Sequence, residues 1–498
     1  MRTTLILLTV SFFCASCGIS KSSFRTNHKY SPQEVEYDYK VFENVLKESH
    51  PGLYWYTPKD SMEYYFRRGE AQLKDSMTEQ QFRKVLSYVV SKIDCGHTSV
   101  KPSRHYLRNL DSSRFKIFPL SLKFWDDTVA VAANLNRNDS ILRRGTVITS
   151  VNNKSIKEIT DSLFEYLPAD GYNRTHKFQT LSNRGYFGSS YSSIFGQSDV
   201  YTINYLDSSG AVKSVAVPVY DPVKDSLNRV ASNRSAWPSR KERRQNEKLS
   251  ARQLRVDNEN KTAVMDLNTF SKGYGLRGFF RRSFKRLHNE KIENLVIDLR
   301  GNGGGNVMNS TTLSKYLIDK PFKLADSLYA INRNSAYAKY VQNYFFNRVF
   351  MLFVTRKRAD GKYHFGYFER HYFKPKKKYH FDGHTYILIG GNSFSATCLF
   401  TESVQHEDNV TVVGEETGGG AYGNTAWLIP DVILPQTGVR FRLPLFRLVI
   451  DKNSPKTGRG IQPDVEVKPT VEAIRKGADF KMDKVKELID EHKPVSKH

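Results

Sequence analysis

The strongest chemical signal in the chain is a small hydroxyl at a junction: Tyr386-Ile387-Leu388-Ile389 reads as a strand, and Gly391-Asn392-Ser393-Phe394-Ser395-Ala396 as the turn into a helix. A serine there lies at the positive end of the helix, where negative charge is stabilised as it develops. Serine is a poor nucleophile at neutral pH, so it needs a base within hydrogen-bond reach and donors for the oxyanion that forms. Far upstream, Asp94-Cys95-Gly96-His97-Thr98 supplies an imidazole whose ordinary pKa suits general-base work, beside a glycine that permits close approach. Between them, Asp298-Leu299-Arg300-Gly301-Asn302-Gly303-Gly304-Gly305 supplies bare backbone amides of the kind that bind anions, with Asp298 and Arg300 placed to lock the turn.

Each motif alone has an ordinary reading. A lone histidine after a helix is usually structural, and a glycine-rich turn after a strand can cradle a phosphate. No Gly-Lys-Ser or Gly-Lys-Thr follows the turn, and the dinucleotide spacing is missing, so an oxyanion hole is the better use for its amides. Together the three predict Ser395 as nucleophile, His97 as base and the amides of Gly303, Gly304 and Ala396 as oxyanion donors, with Ser393 the second choice for nucleophile. This chemistry calls for neither a cofactor nor a metal.

The elements that must position these residues follow from periodicity. Apolar residues recur at helical spacing in Val41, Phe42, Val45 and Leu46, and again in Phe82, Val85, Leu86, Val89 and Val90, with Thr78 and Gln81 spaced as a capping box. Short alternating stretches between Phe115 and Val219 read as strands. From Lys261 to Pro469 strands alternate with helical patterns, the signature of an α/β core. The basic run Ser239 to Lys248 reads as a solvated linker or loop, since it lacks the interleaved aromatics of a nucleic-acid surface. The aromatic, basic stretch from Ser335 to Phe381 reads as an insertion or lid, able to line an apolar pocket.

With 498 residues, 39% hydrophobic, the chain is long enough for two or three domains. Its net charge of +25 suits a solvated basic surface or an anionic envelope, and no nucleic-acid module is evident. Arg2 and the apolar stretch Leu5 to Phe13, too short to span a bilayer, read as a secretion signal. Cys14-Ala15-Ser16-Cys17-Gly18 resembles a bacterial lipoprotein signal, which implies acylation at Cys17 and a lipid anchor in the envelope. Cys95 and Cys398 then remain, too few for a disulfide scaffold, and both are expected to be buried thiols.

The three motifs, in this order, resemble the tail-specific or C-terminal-processing serine peptidases, a family that includes the tricorn core protease. Many members carry a catalytic lysine in a Gly-Glu-x-Thr-x-Gly-Lys stretch. Here the corresponding residues are Gly414-Glu415-Glu416-Thr417-Gly418-Gly419-Gly420, without the lysine, and Asp94 to Thr98 resembles the Asp-Gly-His-Thr signature of the tricorn-like Ser-His branch. Gly460-Ile461-Gln462-Pro463-Asp464 also matches the family's ending, whereas Cys398 stands where many members have Glu.

The resemblance implies an α/β multidomain protein with a crotonase/ClpP-like catalytic core: behind the signal and lipidated Cys already expected over 1–17, an N-terminal helical domain carrying the histidine over 18–110 and a PDZ-like domain over 111–222. A basic linker over 223–255, the serine peptidase core over 256–475 and a C-terminal helix or tail over 476–498 complete the expected division. It implies a peptide or protein substrate and an acidic third catalytic residue, with Asp451 the first choice and Glu416 and Asp94 behind it. The competing expectation is a catalytically inactive ligand- or peptide-binding lipoprotein on the same scaffold.

Overall fold

The computed structural model describes residues 26–111, 115–224 and 238–492, so the leader and Cys17 lie outside the described residues. The protein is a mixed α/β, multidomain chain. Near its start, Ser31 caps the helix Pro32–Ser49 through a reciprocal bond with Glu34, and Thr78 caps Glu79–Ser91 in the same way with Gln81. The buried faces of these helices, including Phe42, Leu46, Phe82 and Leu86, do not form a core of their own. They share one with Val432, Val439 and Phe441, more than three hundred residues later.

That sharing has a physical cause. The hairpin Asp431–Ile433/Arg440–Arg442 adds the strand Val100–Lys101 to its edge. The turn of the hairpin is held by the buried carboxylate of Asp38, which accepts from the amides of Gln436 and Thr437 at 3.0 and 2.8 Å. The loop carrying His97 therefore leads directly into a strand clamped by the C-terminal part of the chain.

The middle of the chain forms a hairpin, Leu120–Trp125 with Thr128–Asn134, and a four-stranded sheet in the order Lys154–Ser155, Ile148–Val151, Val200–Leu206, Val212–Pro218. The helices Ile156–Phe164, Arg174–Ser182 and Tyr186–Phe195 complete it around a separate core that includes Phe118, Phe124 and Tyr201.

The third part is built on a six-stranded sheet in the order Arg252–Asp257, Thr262–Leu267, Asn294–Asp298, His384–Ile389, Val410–Gly414, Val465–Glu466. The first pair is antiparallel and the rest parallel. Helices cover both faces, among them Phe480–His492, whose Val485 and Ile489 pack on Val296 and Leu388. In such sheets the crevice beyond the carboxyl ends of the strands is where ligands bind. The glycine turn after Asp298 and the serine turn after Ile389 leave adjacent strands at that end.

Two sequence expectations are corrected here. The basic run is not a loop: Arg240–Ala251 is a helix capped by Ser239 and Glu242, continuing into the first strand of the large sheet. Arg, Lys, Gln and Glu are strong helix formers, and the run is a solvated helical face in which Ala251 is the buried residue. The stretch 335–381 is not a simple lid either, because its strand Tyr363–His364 joins a second, five-stranded sheet beside Ser327–Ala330. Its Phe365 and Phe368 enter a core with Leu448, while Phe345, Phe346 and Phe353 on the helix Tyr344–Val354 are 68–78% exposed and line no interior pocket.

Candidate active site

Ser395 stands at the start of the helix Ala396–Val404 with φ 57° and ψ −118°, a conformation that a residue other than glycine adopts only when its surroundings enforce it. It makes no side-chain capping bond and is half-buried, so its hydroxyl is presented rather than consumed. The enforcement comes from its neighbours. The Phe394 amide donates to the Asn302 carbonyl at 3.1 Å, the Thr397 hydroxyl donates to the same oxygen at 2.9 Å, and the amides of Gly418 and Gly419 donate to the Ser393 carbonyl.

Ser393, the second choice, has a structural task instead. It is wholly buried, donating its hydroxyl to the Leu299 carbonyl at 2.8 Å and accepting from the Gly390 amide at 3.1 Å.

The glycine turn lies directly against the serine. A Cβ placed on Gly304 would be 2.7 Å from the Phe394 carbonyl oxygen, 2.8 Å from Ser395 Cβ and 2.9 Å from the Ala396 nitrogen, and Gly304 has φ +93°. Its own amide, expected as an oxyanion donor, is already committed to Asn302 Oδ1 at 2.9 Å. Asn302, buried and tied by Nδ2 to the Leu267 carbonyl, thus shapes the turn and removes Gly304 from the donor set. The amides of Gly303 and Ala396 have no acceptor among the described residues, and Gly303 borders open space. Gly304→Ala is expected to cost about 3–4 kcal/mol through clash and positive φ together, measured as a lower denaturation midpoint with loss of activity.

His97 sits across Phe394 from this turn, with ring centroids 4.7 Å apart, and a Cβ on Gly96 would press within 2.5 Å of Phe394 Cζ. The His97 side chain is buried, yet neither ring nitrogen has a hydrogen-bond partner among the described residues. Leaving such groups unpaired costs about 1–3 kcal/mol each and calls for a reason. Behind the ring, Asp170 Oδ1 lies 3.8 Å from Nδ1, longer than a hydrogen bond but close enough for strong electrostatic coupling. Asp170 also accepts from the Gly96 amide at 2.8 Å and the Gly420 amide at 3.3 Å. Burial alone would raise its pKa, but the facing imidazole and the two amides outweigh burial and hold the carboxyl below its usual range.

The carboxylate beside His97 is thus Asp170, and the structure places the acids expected from sequence elsewhere. Asp451 instead organises its own turn, accepting from the Asn453 amide at 2.8 Å and the Ser454 hydroxyl. Glu416 is held by Arg459, by the Gly460 amide at 2.7 Å and by Thr175.

Asp94 points to Thr57 Oγ1 at 3.3 Å and supports the histidine loop through its backbone carbonyl, which accepts from Gly171. Burial raises the Asp94 carboxyl to about 6, against the lowering influence of Lys177. A raised folded-state pKa gives stability that is complete below the unfolded value near 4 and is lost as pH rises through 6. Asp94→Asn, which tolerates the φ of 53° at this site, is therefore expected to gain about 1–3 kcal/mol on the wild type between pH 4 and 7, read from paired melting curves.

Cys95 and Cys398 are both buried free thiols, and burial pushes each up to about 12.

Residues 261–467 match the sequence model of Peptidase family S41. The whole fold resembles mature CPAF complexed with lactacystin, 16% identical, over 92% of this chain and 98% of that chain with a TM-score of 0.64. It also resembles mature CPAF, 15% identical, over 93% and 99% with a TM-score of 0.61. At these identities the likeness carries the fold alone. No curated protein matches the chain in sequence.

Proposed function

The chain belongs to peptidase family S41 through residues 261–467 and is a serine peptidase, and on that footing we propose that Ser395 attacks the peptide carbonyl with His97 as general base and Asp170 as the carboxylate that orients it. The observation that carries this reading is the buried imidazole of His97, unpartnered at both nitrogens among the described residues, backed by an ionised Asp170 and packed against the residue preceding Ser395.

With Nδ1 turned to Asp170, Nε2 remains for the Ser395 proton. The oxyanion is received by the Gly303 and Ala396 amides at the head of the helix. Protonated His97 then gives its proton to the leaving amine, and water releases the acyl-enzyme by the reverse sequence. A scaffold that only bound ligand would gain nothing from an unsatisfied buried histidine.

The test is a fluorophosphonate probe on the full chain, with the adduct located by peptide mass spectrometry. Modification at Ser395 is the expected result; an unlabelled wild-type protein overturns the reading.

We infer further that the protein processes C-terminal tails, with the middle sheet acting as a PDZ-like module that captures an extended peptide by strand addition. The core would be of crotonase/ClpP-like type, and Cys17 would anchor the protein in a bacterial envelope. Among the described residues no helix is long and apolar enough to cross a membrane. Metabolic labelling with a fatty acid is expected to mark the wild type and not Cys17→Ser.

A further inference from the structure

The base proposed above has a neighbour with no part in hydrolysis. Cys95 Sγ, a ring nitrogen of His97 and a carboxylate oxygen of Asp170 all lie within 4.8 Å of one another, and all three residues are buried. The thiol donates weakly to the Thr425 carbonyl at 3.6 Å and is also faced by the Thr98 hydroxyl and the His97 and Thr98 amides, while the imidazole has no hydrogen bond among the described residues. Tetrahedral zinc holds sulfur, nitrogen and oxygen donors roughly 3.3–3.6 Å apart, so inward shifts of about an ångström would complete three ligands. One thiolate, one imidazole and one carboxylate form a donor set suited to zinc rather than to calcium or magnesium, which take oxygen. The fourth position falls to water.

We propose that Cys95, His97 and Asp170 form a zinc-binding site that reversibly switches the peptidase off, because an imidazole holding a divalent cation cannot accept the Ser395 proton. The inhibitory role rests on His97 being the base, as argued above; the binding site itself does not. On binding, the cation loses water ligands and forms bonds to sulfur, nitrogen and oxygen, while the Cys95 thiol proton passes to solvent. No oxidation or reduction is involved, and a chelator reverses the process.

Cobalt(II) titration of the full-length protein reads the site without reference to activity. One equivalent is expected to produce a near-ultraviolet thiolate-to-cobalt absorption band in the wild type and equally in Ser395→Ala, but not in Cys95→Ser. Zinc is expected to block fluorophosphonate labelling of the wild type, with recovery on chelation. Cys95→Ser is expected to label at the wild-type rate without metal and to need at least about tenfold more zinc for the same block.

A missing band in the wild type, a band that survives Cys95→Ser, or equal zinc sensitivity of the two proteins overturns the proposal. If the band appears but no metal-free protein is labelled, the peptidase reading fails while the binding site stands. Should Cys95→Ser not fold, Cys95→Ala and a cobalt titration of His97→Ala read the same ligand set.

Discussion

Ser395→Ala is expected to lower kcat by about 10^4- to 10^6-fold while leaving KM and the melting temperature close to those of the wild type. The size of the loss follows from the role: without the hydroxyl no acyl-enzyme forms, and only the oxyanion donors and substrate positioning remain. The unchanged stability follows from the structure, since the Ser395 side chain makes no capping bond and its backbone strain is imposed by Asn302 and the Gly418-Gly419 segment. Ser393→Ala separates the two serines. It leaves the buried Gly390 amide without its acceptor, while the Leu299 carbonyl keeps the Asn302 amide, so it should cost about 1–3 kcal/mol of stability yet keep covalent labelling at Ser395. Steady-state kinetics and melting curves on both variants check the pair, and full activity in Ser395→Ala would discard the mechanism.

Asp170→Asn carries the second largest expected effect, a fall in kcat of about 10^3- to 10^4-fold with little change in KM. The asparagine amide keeps the shape of the site but cannot stabilise an imidazolium, and one of its two terminal atoms becomes a donor facing the amides of Gly96 or Gly420. Stability should change with a definite sign. A carboxyl held below its usual pKa contributes stability that is present above the unfolded value near 4 and disappears as pH falls through the folded one. The wild type should therefore exceed Asp170→Asn in stability most at neutral pH, and the gap should close in acid. A purely structural aspartate would show the stability gap without the selective fall in kcat.

What could be read from the chain alone was what chemistry writes locally. Ser395, His97 and the glycine turn are each announced by immediate neighbours: a strand before a small residue, a glycine beside an imidazole, bare amides in a row. Asp170 has no such announcement. Asp170-Gly171 looks like any turn, and the carboxylate becomes meaningful only when the segment after Ile156–Phe164 docks against Gly96 and Gly420, 74 and 250 residues away. Gly304 illustrates the same gap at shorter range, since the Asn302 side chain competes for its amide, and sequence does not reveal which donor a polar neighbour will claim.

The early helices share their core with a distant hairpin for a packing reason. The early helices are amphipathic, but the surface that covers them, including Phe441 stacked edge-on to Phe42 at 5.1 Å, comes from the far end of the chain. Periodicity shows that a face is apolar without naming its cover.

The clamp between Val100–Lys101 and the hairpin Asp431–Ile433/Arg440–Arg442 has a thermal corollary. Imidazole, carboxylate and hydroxyl come from three distant segments of the chain, and that seam also closes the core the early helices share with Val432, Val439 and Phe441, so loosening it frees the histidine loop while the cores of the middle segment and the six-stranded sheet stay packed. Heating should extinguish turnover several degrees before far-ultraviolet ellipticity begins to fall, and cooling from that interval should restore it.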